Sequence, residues 1–285
     1  MALDDIIKQH DGEVDALVNH FKDQLEKMLA KAQANVQATL TSKLTFDDRG
    51  KIEQTSSNRS QLRRMDDMLN EELDELGLQD LIDAFVHQFG GQFKYFKQVL
   101  EQTLGKARAD KLDALKFTVD DQKVFSMMQA DAAENLEDIV GQAGDDVRRR
   151  TLMGMGGMTA RDLAETMTEV VAKTAGYAKT EATTAVSSFY RTLAKTSFQK
   201  IEEDDDWEIT YRYVGPGPLD PVERPFCRHL MTQSLAGRTW TYDQIEDMDN
   251  DQLDDVFVTG GGYNCRHQWI VADMRPSKKQ LEDAD

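Results

Sequence analysis

Between residues 3 and 40 apolar side chains return at every third or fourth position. Val14, Val18, Phe21, Leu25, Met28 and Ala32 step by 4, 3, 4, 3 and 4. This spacing lines one face of a helix and predicts a coiled-coil-like seam of more than two heptads. Acids and lysines occupy the other faces. One such helix cannot bury its stripe alone. It must pack on a partner helix, either within this chain or on another copy, so a homo-oligomer through the N-terminal helices is one expected use.

Helical signals continue for most of the chain. After a polar stretch at 41–60, a helix is expected at about 61–76. Another at 78–104 sets Leu78, Leu81, Ile82, Phe85, Phe89, Phe93, Phe96 and Leu100 on a broad core face, interrupted at Gly90–Gly91. Thr118 with Asp121, and Thr159 with Asp162, have the spacing of reciprocal N-terminal caps. They open helices expected at about 119–140 and from 160 onward, with a further helix at about 176–199. "GMGGM" at 154–158 is a break between them, and no Gly-Lys-Ser/Thr follows it to make a phosphate loop.

The texture changes after Ile201. "WEITYRYV" at 207–214 alternates and is rich in aromatic and β-branched residues, which predicts a strand. "GPGPLDP" at 215–221 reads as a loop, and residues 268–272 as a second strand. The fold class expected is mainly α with a small C-terminal α+β domain. The linear division is a helical N-terminal region at 1–104, a helical domain at 105–202, a compact α+β domain at 203–275 and a polar tail at 276–285.

Composition bounds the function. The 285 residues carry a net charge of −18, and 201–285 alone hold 19 acids against 8 bases. Such a surface repels phosphate backbones, so specific nucleic-acid binding is disfavoured. No apolar run is long enough to span a membrane, and the acidic N-terminus lacks a signal peptide's basic start, so a cytoplasmic product is expected.

Both cysteines sit in repeated triplets, Cys227–Arg228–His229 in "RPFCRHL" and Cys265–Arg266–His267 in "GGYNCRH". In a cytoplasmic chain, metal ligation or reduced thiols are favoured over a disulfide. Cys227, His229, Cys265 and His267 would supply four ligands for a structural zinc. A C-x-H pair in an extended segment does place both side chains on one face, although zinc pairs more often leave two to four residues between cysteines. Two other readings stay open: a buried polar network around Arg228 or Arg266, and a catalytic Cys–His pair. The run Gly260–Gly262 supplies a tight turn or lets a partner approach closely.

The helix "AGYAKTEATTAVSSFYR" at 175–191 is followed by "YVGPGPLDPVERPFCRHL" and then "GGYNCRHQWIV". That order resembles the phage Mu F-like family of head morphogenesis, or minor head, proteins over about residues 150–275. Thr180 and Glu181 match the family's Thr-Glu helix motif, Cys227 its first cysteine, and Asn264, Cys265 and Arg266 its closing element. The family's second cysteine near Cys227 is absent, and its closing Cys-Arg-Cys is Cys-Arg-His here. Any metal site would therefore be rebuilt with histidines. The resemblance implies a low-copy virion protein without enzymatic activity, made in the host cytoplasm and carried inside the capsid. Its expected partners are the portal and capsid or scaffold proteins, and its expected role is in assembly, DNA packaging or ejection. Thr180 and Glu181 would be structural, with Glu181 bonded within the domain near an arginine beside Cys227 or Cys265. Two alternatives are a metal- or cysteine-dependent hydrolase or transferase carried by a phage, and an acidic DNA-mimic inhibitor.

Overall fold

The computed structural model describes residues 2–106, 116–203, 207–215 and 224–276. Most of the expected 215–221 loop and of the 276–285 tail lies outside them. The described elements are α1 (Leu3–Lys43), α2 (Ser56–Arg63), α3 (Met65–Glu75), α4 (Leu78–His87), a 3-10 turn (Gln88–Gly90) and α5 (Gly91–Leu104). They continue with α6 (Val119–Gly154), α7 (Ala160–Glu203), β1 (Trp207–Val214), α8 (Pro225–Leu235), α9 (Tyr242–Glu246), α10 (Val256–Thr259) and β2 (Gln268–Pro276). The molecule is mainly α with a small C-terminal α+β region, as the periodicities predicted.

The two expected caps form. Thr118 and Asp121 exchange backbone-to-side-chain hydrogen bonds at the start of α6, and Thr159 and Asp162 do so at the start of α7. The helices they open are longer than expected: α6 runs to Gly154, and α7 is one helix where two were predicted. The seam of α1 also differs. Its buried residues are Val14, Val18, Phe21, Leu25, Leu29, Ala32, Val36 and Leu40, with Leu29 in place of Met28. Their steps of 4, 3, 4, 4, 3, 4 and 4 repeat every 11 residues, close to the natural helical period, so the stripe needs no left-handed supercoil. The chain's own residues bury this stripe, and the seam is therefore not open to a second copy.

Two compact units form, and neither is contiguous. One combines residues 17–86 with 131–181. Its interior includes the Phe21–Phe85 ring pair at 4.6 Å and a close approach of α6 to α3. A Cβ at Gly144 would sit 3.0 Å from Asp66 Cα, and Arg148 pairs with Asp66 at 2.7 Å. The polar stretch at 41–60 is organised by buried Asn58, which donates to the carbonyls of Thr45 (2.8 Å) and Glu53 (2.9 Å).

The other unit combines residues 1–16, 87–130 and 182–285. Its sheet pairs β1 antiparallel to β2, from Trp207 opposite Pro276 to Val214 opposite Gln268, with a register shift at Thr210/Tyr211. Alternation buries Ile209, Tyr211 and Tyr213 on one face. Two strands bury too little apolar surface to stand alone. Aromatic residues of the flanking helices supply the rest, including Phe198 against Tyr211 and the cluster of Phe93, Phe125 and Phe189. The compact unit therefore does not begin at residue 203; the sheet recruits helical segments from far up the chain.

Candidate functional site

Four elements of this second unit place the cysteine segments together. β1 presents Tyr213. Arg224 is extended and Pro225 occupies the first turn of α8, a favoured helix start that sets Cys227 on the buried face. Past α10 the chain turns sharply, with positive φ at Gly260 (60°), Gly262 (92°) and Asn264 (57°), and delivers Cys265 and His267 into the start of β2. The tight turn is one expected role of the glycines. The close approach is made by the chain's own sulfur: a Cβ at Gly261 would sit 2.1 Å from Cys227 Sγ.

The sulfurs of Cys227 and Cys265 are 3.8 Å apart, far beyond a disulfide bond. His267 Nδ1 is 3.6 Å from Cys265 Sγ. All three ligand atoms lie within 4.8 Å of one another. In a tetrahedral zinc site, Zn–S and Zn–N bond lengths give S···S and S···N edges of about 3.8 and about 3.6 Å. Cys227, Cys265 and His267 therefore fit zinc as a Cys2His set among the described residues.

The surroundings favour a thiolate. The Gly261 N–H donates to Cys265 Sγ at 3.1 Å. The hydrogen bond with Cys227, reinforced by His267 and the Arg191 guanidinium, pulls the Cys265 thiol well below its ordinary pKa despite burial. The Tyr213 hydroxyl lies 3.5 and 3.6 Å from the two sulfurs, and burial raises its pKa, which keeps the phenol neutral and able to donate to sulfur. Its ring stacks on His267 at 5.2 Å.

Arg191 of α7 organises the cluster and is only 2% exposed. Its guanidinium donates to the carbonyls of His267 (2.8 Å), Val258 (3.0 Å) and Cys265. Sequence reasoning did not single it out. The available signal was an arginine among Phe189, Tyr190, Leu193 and Ala194, on the face of a helix that should be core. Arg224 adds hydrogen bonds to the carbonyls of Gly261 and Tyr263.

The remaining residues singled out in the sequence are dispersed. His229 is not with the ligands. Residues 225–235 are helical rather than extended, so position i+2 lies about 200° round from Cys227. His229 faces outward, where it accepts from Gln233 Nε2 at 2.8 Å. Arg228 is on the exposed side of the same helix. Asn264 donates its backbone N–H to Thr184 Oγ1 at 2.8 Å, and Arg266 pairs with Asp15.

Thr180 and Glu181 belong to the other unit. Thr180 Oγ1 donates to the Gly176 carbonyl at 3.2 Å, and Glu181 accepts from Asn135 at 3.1 Å. The arginine that meets the cysteine segment is thus Arg191, not a partner of Glu181. Thr180 and Glu181 instead line an open groove of about 1080 Å³. Its apolar lining includes Met153 and Tyr177, which are 83% and 56% exposed, and its cations include Arg63, Arg149 and Lys173.

No family model, curated protein or solved structure matches this chain.

Proposed function

We propose that the chain is a minor head protein of a tailed phage, of the Mu F-like head morphogenesis kind, with its C-terminal segments tied together by zinc. One observation carries this reading. The separate cysteine elements of the resemblance, Cys227 and Asn264–Cys265–Arg266, converge on the end of the helix that precedes them in the family order. Arg191 and Thr184 of that helix bind the closing element directly. The two cysteine motifs fold into one bonded cluster, as a shared domain would require, while the Thr180–Glu181 motif belongs to the other unit.

The Cys2His set fills three of the four positions of a tetrahedral zinc, and it is the burial of its sulfurs that favours a structural role for the metal. Cys227 and Cys265 are 3% and 5% exposed, so neither sulfur is presented to solvent. That burial weighs against the cysteine- or metal-dependent hydrolase or transferase. Among the described residues no helix is long and apolar enough to cross a membrane. The groove beside Thr180 and Glu181 offers apolar surface to the portal, capsid or scaffold partners of this reading. Its location would be the capsid interior, near the portal, where it acts in assembly, packaging or ejection.

Co-expression with portal and capsid proteins, followed by sedimentation, tests this. The protein should travel with portal rings or with heads, in few copies. Its remaining at the top of the gradient while heads form would overturn the reading. Elemental analysis should find one zinc per chain, lost in Cys227→Ser and Cys265→Ser.

A further inference from the structure

The Cys2His set leaves one corner of a tetrahedral zinc to another group. His229, the residue expected there, faces outward on α8. The Tyr213 hydroxyl lies against both sulfurs instead, 3.5 Å from Cys227 Sγ and 3.6 Å from Cys265 Sγ. With the sulfurs 3.8 Å apart, the three atoms form a nearly equilateral triangle. In a tetrahedral zinc site, Zn–O and Zn–S bond lengths give S···O edges of about 3.5 Å. The triangle therefore has the size of one face of that tetrahedron, and His267 Nδ1, 3.6 Å from Cys265 Sγ, stands at a further corner.

The fold fixes this oxygen. Tyr213 is on the buried face of β1, with Trp269 of β2 as its register partner and His267 two residues before Trp269. Its ring packs against both, 4.7 Å from Trp269 and 5.2 Å from His267, which keeps the hydroxyl on the sulfurs. Charge gives an independent reason. A zinc ion with two thiolates and a neutral histidine sums to zero. Arg191 is 2% exposed, its hydrogen-bond partners are carbonyls, and among the described residues no carboxylate pairs with it. A Cβ on Gly260 would sit 3.1 Å from both Arg191 Cζ and Cys265 Sγ, so the guanidinium is beside the sulfur. A buried cation without an anion is costly. One further anionic ligand on the zinc would offset it.

We propose that Tyr213 is the fourth ligand of this zinc, bound through its phenolate oxygen. The Zn–O bond forms as the O–H proton leaves to solvent. Without metal the same hydroxyl is neutral and donates to sulfur; a bound cation inverts that preference, as it does for a coordinated thiol. This rests on the metal reading above and deepens it.

The test adds zinc to the full-length wild type and to Tyr213→Phe, which keeps the ring. Near-ultraviolet difference absorbance reads tyrosinate, an indicator dye in weak buffer reads released protons, and chelator competition reads affinity. Zinc should raise a tyrosinate band worth one tyrosine in the wild type and release one proton more than it does from Tyr213→Phe. The variant should show no band and bind zinc at least about 10-fold more weakly. A hydroxyl that only hydrogen-bonds to thiolate would also lower affinity when removed, but would give no band in the wild type. Zinc bound by the wild type without the band, a band that persists in Tyr213→Phe, or unchanged affinity in that variant overturns the inference and leaves the metal reading standing. Should Tyr213→Phe not fold, the presence or absence of the wild-type band decides. A wild-type protein that binds no zinc removes the metal reading itself, and this inference with it.

Discussion

The cysteine cluster and the groove beside Thr180 and Glu181 are built on opposite principles. In the cluster, polar atoms are buried and matched: Arg191 has three carbonyl partners, and the sulfurs face a tyrosine, a histidine and a backbone N–H. In the groove, large apolar side chains face solvent. Buried, satisfied polar groups fix a conformation, whereas exposed apolar surface marks a place for a partner. Under the proposed reading the first region serves stability and the second association.

The comparison breaks most readily at Arg191. Replacing it with Met should strand three carbonyls, one buried and two part-buried, a penalty of about 3 kcal/mol if each costs at the low end of its usual range. Urea unfolding checks this. A loss below about 1 kcal/mol would show that the guanidinium is not the cluster's organiser.

Gly261 comes next. Gly261→Ala drives a methyl into Cys227 Sγ and should cost about 1–3 kcal/mol through forced displacement. It should weaken zinc binding in step, read by thermal melts with and without metal. Gly176→Ala, at an exposed helical glycine with open space around it, should stabilise slightly.

The pH dependence sharpens the picture of the buried polar region. Asp11 rises from 3.8 unfolded to about 7 folded, so it removes stability as pH climbs between those values. His10 falls from 6.5 to about 4 through burial, so it removes stability as pH drops from 6.5 to 4. The two slopes oppose and cancel between about pH 4 and 6.5, each being at most about 1.4 kcal/mol per pH unit. His10→Gln should expose a stability that declines with rising pH over that range, and Asp11→Asn one that increases. Parallel pH profiles for both variants would show that neither group titrates against the fold.

The smallest effect on stability is expected in the groove. Met153→Glu and Tyr177→Ser should change unfolding free energy by no more than about 0.5 kcal/mol, yet abolish co-sedimentation with heads or portal. A large stability loss would mean that the groove is part of the core and not a docking surface.

These contrasts also show what could be read early. Helix starts at Thr118 and Thr159 and the strand at 207–214 were legible because caps and alternation act within a few residues. The approach of His267 to Cys265 was legible for the same reason: two residues on an extended segment share a face. His229 failed that rule only because Pro225 starts a helix, where the same spacing turns the side chain away.

The sequence by itself determined the helical stripes, their caps, the excess of acid and the identity of the sulfur and nitrogen donors. These follow from the 3.6-residue turn, from the two-residue pleat and from side-chain chemistry. Tertiary structure alone decided that Arg191 would clamp carbonyls 67 to 76 residues away, that residues 1–16 would join the compact unit that holds the C-terminal sheet, and that Glu181 would face a groove rather than a cysteine. Such partnerships depend on which surfaces remain to be buried once the local elements exist, and no spacing along the chain encodes that.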